Sequence, residues 1–335
     1  MNIREKLERR EHEILCEYAS FSDESRGRDI YEEPCDLRPV YQRDRDRILH
    51  SKAFRRLKQK TQVFLAPQGD HYRTRLIHTL EVSQNARTIA KALRLNEELT
   101  EAIALGHDLG HTPYGHCGER ALNALCPGGF SHNEQGVRVV EVLEKDGQGM
   151  NLTYEVRDGI RNHKTSCNPL TLEGKIVRLS DKIAYINSDI DDAIRARIIR
   201  EDDLPKEHTD ILGNTTRTRL NTLIHDIILH SEGKNDICMS EDIYKAFMGL
   251  RAYLFANVYT NPIAKSEEKK ATYVINTLFE YYVRNIDELP KEFSKLIDNG
   301  LEKERAVCDY IACMSDQYAT NMFKELTIPK TWNVY

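Results

Sequence analysis

The chain has 335 residues, enough for one large core or two modest ones. Its 40% hydrophobic share fits a globular protein, and no apolar run reaches the roughly 20 residues that span a bilayer, which argues against a membrane protein. The net charge of −5 excludes a global basic field for nucleic acid.

The N-terminus, MNIREKLERREHEIL, is too charged for a signal peptide, so the expected compartment is the cytoplasm. Eight cysteines form no CxxC pair, which argues against a thiolate zinc site and for free core thiols. Between Arg43 and Lys60 lie Arg43, Arg45, Arg47, Lys52, Arg55, Arg56, Lys58 and Lys60, opposed in sequence only by Asp44 and Asp46. Such a cluster can hold a polyanion, or it can be a solvated helix face. The best short strand signal follows at Gln62-Val63-Phe64-Leu65. Beyond it the chain reads as helix.

Leu76, Leu80, Ala86, Ile89, Ala90 and Leu93 form a helical stripe over Arg75–Leu95. A second helix is predicted from Asn96 through Leu105 to Thr112-Pro113, where proline stops it. A third runs from Gly115 through Leu125 to the breaker Cys126-Pro127-Gly128-Gly129. Thr171–Arg200 is a strong helix on Ile176, Leu179, Ile183, Ile190 and Ile194. Further helices are expected over Arg217–His230, Met239–Val258, Ser266–Asp287 and Ala306–Glu325, with Asp202–Gly213 as a linker or mobile loop. The reading is an all-α fold with an N-terminal segment over 1–40, a core over 41–200 and a helical C-terminal part over 201–335 that completes the same domain.

Three segments carry chemistry: Arg75-Leu76-Ile77-His78, Gly106-His107-Asp108-Leu109-Gly110-His111 and Arg178-Leu179-Ser180-Asp181-Lys182. Read together they give H…HD…D. Two imidazoles and two carboxylates suit a divalent cation, and helical bundles build such sites from facing helices. Each residue alone is more simply a satisfied core or surface group. As a set inside apolar helices they are costly unless paired or metallated. His78, His107, Asp108 and Asp181 are therefore the candidate metal ligands. No G-x-x-x-x-G-K-[ST] occurs, which argues against a P-loop mechanism.

The runs QRDRDRILHSKAFRRLKQKTQVF, GDHYRTRLIHTLEV, AIALGHDLGHTPYGHCGE, HNEQ, NLTYEVRDGI and GKIVRLSDKIAYINSDIDDAI resemble the bacterial dGTPase-like family within the HD superfamily of metal phosphohydrolases. The likeness is dense from Tyr41 to Ala196 and recurs at Val307–Ala312. It implies an HD-type helical bundle with a C-terminal helical extension. It also implies hydrolysis of deoxynucleoside triphosphates to a deoxynucleoside and tripolyphosphate, with one divalent ion per site (Mn, Mg, Fe, Co or Ni).

By matching positions, His116 and Glu119 resemble the family's catalytic His and its acidic partner. They are three apart at a helix start, so they can face one way. His111 matches a phosphate-contacting His, and His132 a member of the acid–base network. Arg75 and Lys182 match phosphate ligands, Tyr185 the sugar-stacking residue, and Asp189 and Gln62 readers of the 3′-hydroxyl. The family further implies a homo-oligomer, a tetramer or hexamer. An allosteric nucleotide site on the Arg43–Arg56 cluster and single-stranded nucleic acid as a partner stay open. So do two other readings: an HD phosphohydrolase on a monophosphate, cyclic nucleotide or alarmone, and a nucleotide or nucleic-acid sensor.

Overall fold

The computed structural model describes residues 1–62 and 72–330, the side chains of 262–266 excepted. Within them the chain is all-α, and the isolated bridge between Thr61 and Thr74 is its β-type pairing. In chain order the helices are α1 (Ile3–Ile14), α2 (Val40–Leu49), α3 (Lys52–Arg56), α4 (Arg75–Ala92), α5 (Glu97–Gly106), α6 (Gly115–Leu125) and α7 (His132–Arg138). A single turn, α8 (Glu144–Gly147), precedes α9 (Tyr154–Asn162) and the long α10 (Leu172–Arg195). There follow α11 (Lys206–Leu212), α12 (Thr216–Ser231), α13 (Glu241–Leu254), α14 (Pro262–Arg284), α15 (Lys291–Asp298), α16 (Lys303–Ala312) and α17 (Asp316–Thr327).

Helix starts are set by side-chain caps. The Asn96 carboxamide accepts from the N–H groups of Glu98 and Leu99 at 3.1 Å each, and the Thr171 hydroxyl accepts from Gly174 N at 3.1 Å. These caps begin α5 and α10 where the sequence predicts. Other boundaries differ. The helix predicted over Ala306–Glu325 is two helices, broken at Cys313–Ser315, because Ser315 caps a new helix by accepting from Tyr318 N. The expected linker over Asp202–Gly213 carries α11, whose Leu212 is fully buried beside α13, so it is part of the packed fold. The strand signal at 62–65 falls, past Gln62, outside the described residues.

Two apolar clusters organise the molecule. The first joins α2, α4, α5, α9, α10, α12 and α13 through residues such as Ile48, Ile89, Ile103, Ile160, Ile183, Ile227 and Phe247. The second joins α6, α14, α15 and α16 through Leu122, Ile275, Leu278, Phe293, Val307 and Ile311. The N-terminal segment is pinned to the first by buried carboxylates: Glu173 accepts from Ser20 N, and Glu155 accepts from the Ser25 hydroxyl and Arg26 N.

Half of the basic residues of 43–60 are ion-paired with tertiary partners that the local sequence does not show. Arg43 and Arg47 share Glu32, Arg45 pairs with Glu98 and Glu101, and Lys52 pairs with Glu292. Lys60 is buried and donates to the carbonyls of His111 and Ala312. Burial lowers its ammonium to about 7.

Candidate active site

The metal-type residues come from three directions of the first core. His78 stands one turn into α4, His107 follows the last residue of α5, and Asp181 lies midway along α10. His78 Nε2 is 3.0 Å and His107 Nε2 3.9 Å from Asp181 Oδ1. His78, His107 and Asp181 thus offer donor atoms that all lie within 4.8 Å of one another. The fourth expected ligand, Asp108, approaches with Oδ1 3.5 Å from His107 Nε2. Its Oδ2 is held by Arg75 Nη1 at 2.8 Å, and Oδ1 also meets His111 Nε2 at 3.1 Å. Arg75 therefore rests on the Asp108 carboxylate.

These residues fit a divalent cation. His107 Nδ1 meets the Ala104 carbonyl at 2.6 Å, and a carbonyl only accepts, so Nδ1 carries the proton and Nε2 the lone pair. That Nε2 is buried and has no hydrogen-bond partner among the described residues. A fixed, unpartnered imidazole lone pair facing carboxylates is the arrangement that N/O metal coordination uses.

The His107–His111 stretch is not the continuous helix expected from sequence. Regular α5 ends at Gly106, and turns lead to Tyr114. The reason lies at Gly110, where a Cβ would sit 2.1 Å from both His132 O and Gly136 N. Backbone of α7 packs directly on this glycine, which sets His132 beside His111. Their rings stack at 4.0 Å with 14° between planes.

A second group, on α6 and α7, adjoins the first through that stack. His116 Nδ1 lies 3.1 Å from Glu119 Oε2, and Glu119 Oε1 meets both Nδ1 and the backbone N–H of His132 at 2.8 Å. Burial would raise the Glu119 carboxyl, but hydrogen bonds from His116 and His132 outweigh it and hold the group far below the usual range. The His116 side chain is 65% exposed while that of His132 is 9% exposed, so the chain of groups runs from solvent inward. It continues to a residue that sequence reasoning missed. His163 Nε2 is 3.2 Å from His132 Nε2, and its Nδ1 donates to Ile160 O at 2.7 Å. His163 thus presents a lone pair, and His132 supplies the proton between them. Burial, then His132 and His107, lower His163 to about 3. A lone His in a loop carries no periodicity by which sequence could find it.

Long α10 also carries further residues matched to substrate contacts. Lys182, Tyr185 and Asp189 follow Asp181 along one side of the helix. No carboxylate among the described residues lies within ion-pair distance of Arg178, Lys182 or Arg251. Burial, then the repulsion of Arg178 and Arg251, lowers the Lys182 ammonium. Arg251 and Tyr259, both unflagged by sequence, complete this side. Arg251 Nε donates to the Tyr185 hydroxyl at 2.8 Å, and the Tyr259 hydroxyl donates to Asp189 Oδ2. Burial raises the Asp189 carboxyl to about 7. Among the described residues, Asp189 Oδ1 and Gln62 Oε1 are both buried acceptors without a partner.

Residues 75–186 match the HD domain and residues 237–325 the phosphohydrolase-associated domain. A deoxyguanosinetriphosphate triphosphohydrolase-like protein of Caldanaerobacter subterraneus subsp. tengcongensis is 58% identical over 99% of this chain and 98% of its own length. The chain belongs to the deoxyguanosinetriphosphate triphosphohydrolase-like family. Another such relative, from Clostridium perfringens, is 51% identical over 98% of this chain and 99% of its own. A third, from Geobacter sulfurreducens, is 39% identical over 94% and 95%. The solved phosphohydrolase of Bacteroides thetaiotaomicron shares the fold at TM-score 0.51 and 16% identity, covering 84% of this chain and 68% of that one. Membership in this HD family makes the chain a phosphohydrolase of the metal-dependent type, and the His78–His107–Asp181 cluster could hold a metal ion.

Proposed function

We propose that the chain hydrolyses deoxynucleoside triphosphates, dGTP among them, to a deoxynucleoside and tripolyphosphate. The observation that carries this is the layout of α10. A metal-type carboxylate, a cationic group without carboxylate partners, an aromatic ring and a buried carboxyl with an unpartnered oxygen succeed one another along one helix face. A polyphosphate, a sugar ring and a sugar hydroxyl, in that order, would satisfy them.

A divalent ion held by His78, His107, Asp108 and Asp181 would supply Lewis-acid polarisation of the α-phosphoryl oxygen. Arg178, Lys182 and Arg251 bind the phosphates and offset charge as it develops. Water adds to the α-phosphorus, the bond to the 5′-oxygen breaks, and that oxygen takes up a proton. His116 is the exposed end of the proton chain, and Glu119 orients its ring through Nδ1, leaving Nε2 for the reacting oxygens. His132 and His163 hold Glu119 in place from behind. Tyr185 stacks on the sugar, and Asp189 and Gln62 hydrogen-bond to its 3′-hydroxyl. A tyrosine packed under the ring leaves little space for a 2′-hydroxyl.

The test is incubation of the purified chain with Mn²⁺ or Mg²⁺ and each of the four deoxynucleoside triphosphates, singly and mixed, with products resolved by ion exchange. Tripolyphosphate that disappears in His107→Ala is the expected result. Turnover in mixtures alone would add an activating nucleotide to the reading. Metal binding without tripolyphosphate from any mixture would overturn it and turn attention to monophosphates, cyclic nucleotides and alarmones.

A further inference from the structure

The readers of the sugar and the donor of the proton stand on different parts of the chain, and one carboxylate outside both touches each part. Asp316 opens α17, yet Ser315 caps that helix, so the Asp316 carboxylate is free to turn away from it. Its Oδ2 accepts from the N–H of Thr61 at 2.9 Å and from the Thr61 hydroxyl. Its Oδ1 accepts from the N–H of Tyr114 at 2.9 Å. Thr61 immediately precedes Gln62, and Tyr114 lies two residues before His116.

The junction is tight. Tyr114 sits at φ 61°, ψ 26°, the left-handed region that a bulky residue rarely adopts. Asp316 fixes that conformation through the backbone, and α17 fixes it again through the Tyr114 hydroxyl, 2.8 Å from Thr320 Oγ1. Gly115 follows at φ 57°, where a Cβ would lie 3.6 Å from the carbonyl oxygens of Thr61 and Gln62 and from Arg75 Nη2. The Gln62 segment, the start of α6 and the Arg75 guanidinium therefore meet at one point, and Asp316 clamps two of the three. The second core is held by buried apolar side chains on other helices, so this half-buried carboxylate is not what keeps α6 folded.

We infer that Asp316 is a positioning residue that keeps Gln62 and His116 in register, so that reading of the 3′-hydroxyl is coupled to proton transfer at the 5′-oxygen. The inference rests on the proposed deoxynucleotide reading. Asparagine cannot replace the aspartate, because its amide nitrogen would face an N–H on one side.

Asp316→Asn, which keeps size and shape, and Asp316→Ala would be compared with the unaltered chain in two measurements. The first is kcat/KM for a deoxynucleoside triphosphate against its 2′,3′-dideoxy analogue. The second is hydrogen exchange at the amides of Thr61 and Tyr114. Both variants should lose about 100-fold in kcat/KM on the deoxy substrate, the scale set by small misplacements of reacting groups. They should lose far less on the dideoxy analogue, so that discrimination collapses, and both amides should exchange faster while bound metal is unchanged. An equal loss on both substrates, with discrimination intact, would overturn the inference and leave a merely structural residue. Should the unaltered chain turn over no deoxynucleotide, the substrate reading fails by itself. Exchange then decides: faster exchange at both amides supports the clamp, and unchanged exchange in Asp316→Ala overturns it.

Discussion

The two apolar cores of this molecule contribute to one site in different ways. The first supplies groups that are buried, mutually close and fixed by regular helices: His78 and Asp181 are 3.0 Å apart across α4 and α10, two of the longest helices. The second supplies His116 and Glu119 from the N-terminal part of α6, reached through a left-handed Tyr114 and held by hydrogen bonds from elsewhere. Both cores are held by apolar packing, but the site groups of the first lie on long packed helices, whereas those of the second are set by polar ties at the start of α6. A cation needs convergent ligands in a rigid shell, whereas a proton donor needs access to solvent and substrate, and the exposure of the His116 ring reflects that need.

If this division holds, damage to the first region should remove metal and activity together. His107→Ala or Asp108→Ala is expected to lower kcat by about 1,000-fold or more, and elemental analysis should show loss of bound metal. A chelator should have the same effect on the unaltered chain, reversed by Mn²⁺. Damage to the second region should separate the two readouts. His116→Ala is expected to lower kcat by about 100- to 1,000-fold with metal content intact, and parallel loss of metal would break the comparison.

The polar ties between the cores can be tested through stability. Asp309 on α16 is fully buried and accepts from Gln135 Nε2 at 3.0 Å, Arg138 Nε at 2.7 Å and Arg305 Nη2 at 3.0 Å. Removing it in Asp309→Ala leaves two guanidiniums without their buried partner, and urea titration should show a loss of about 3–5 kcal/mol. Because Gln135 and Arg138 share α7 with His132, activity should fall as well.

A smaller effect is expected at Asp189. Its folded value of about 7 lies above the unfolded value of roughly 4. Between these values the folded chain keeps a proton that the unfolded chain has lost, so this group's contribution to stability falls as pH rises from about 4 to about 7. Asp189→Asn should flatten that part of the melting-temperature profile and raise KM. Smallest of all should be Arg43→Ala, since Arg43 shares the partly exposed Glu32 with Arg47. A change within about 1 kcal/mol is expected, with turnover of mixed nucleotides unaltered.

Much of the fold was legible in the chain because helices announce themselves locally. Asn96 and Thr171 cap the helices they were expected to begin, and Gly115–Leu125 is bounded as its glycine and Cys126-Pro127 breaker imply. The metal-type residues were legible for a similar reason, since paired His-Asp motifs inside apolar helices have few inexpensive explanations. Where local rules misled, a distant contact intervened. The His107–His111 stretch lacks helical continuity because α7 packs on Gly110, and Arg43, Arg45, Arg47 and Lys52 are ion-paired because Glu32, Glu98 and Glu292 fold onto them.

The sequence by itself determined the helical class, which depends on spacing and caps within single elements, and it offered the candidate site residues through their chemistry and a family resemblance. Only the tertiary structure decided that Arg75 rests on Asp108, that His163 backs His132, that Arg251 and Tyr259 face Tyr185 and Asp189, and that Asp316 spans two segments. Each of these contacts joins residues far apart in the chain. A hydrogen bond depends on where two groups are brought in space, and no periodicity within either segment encodes that meeting.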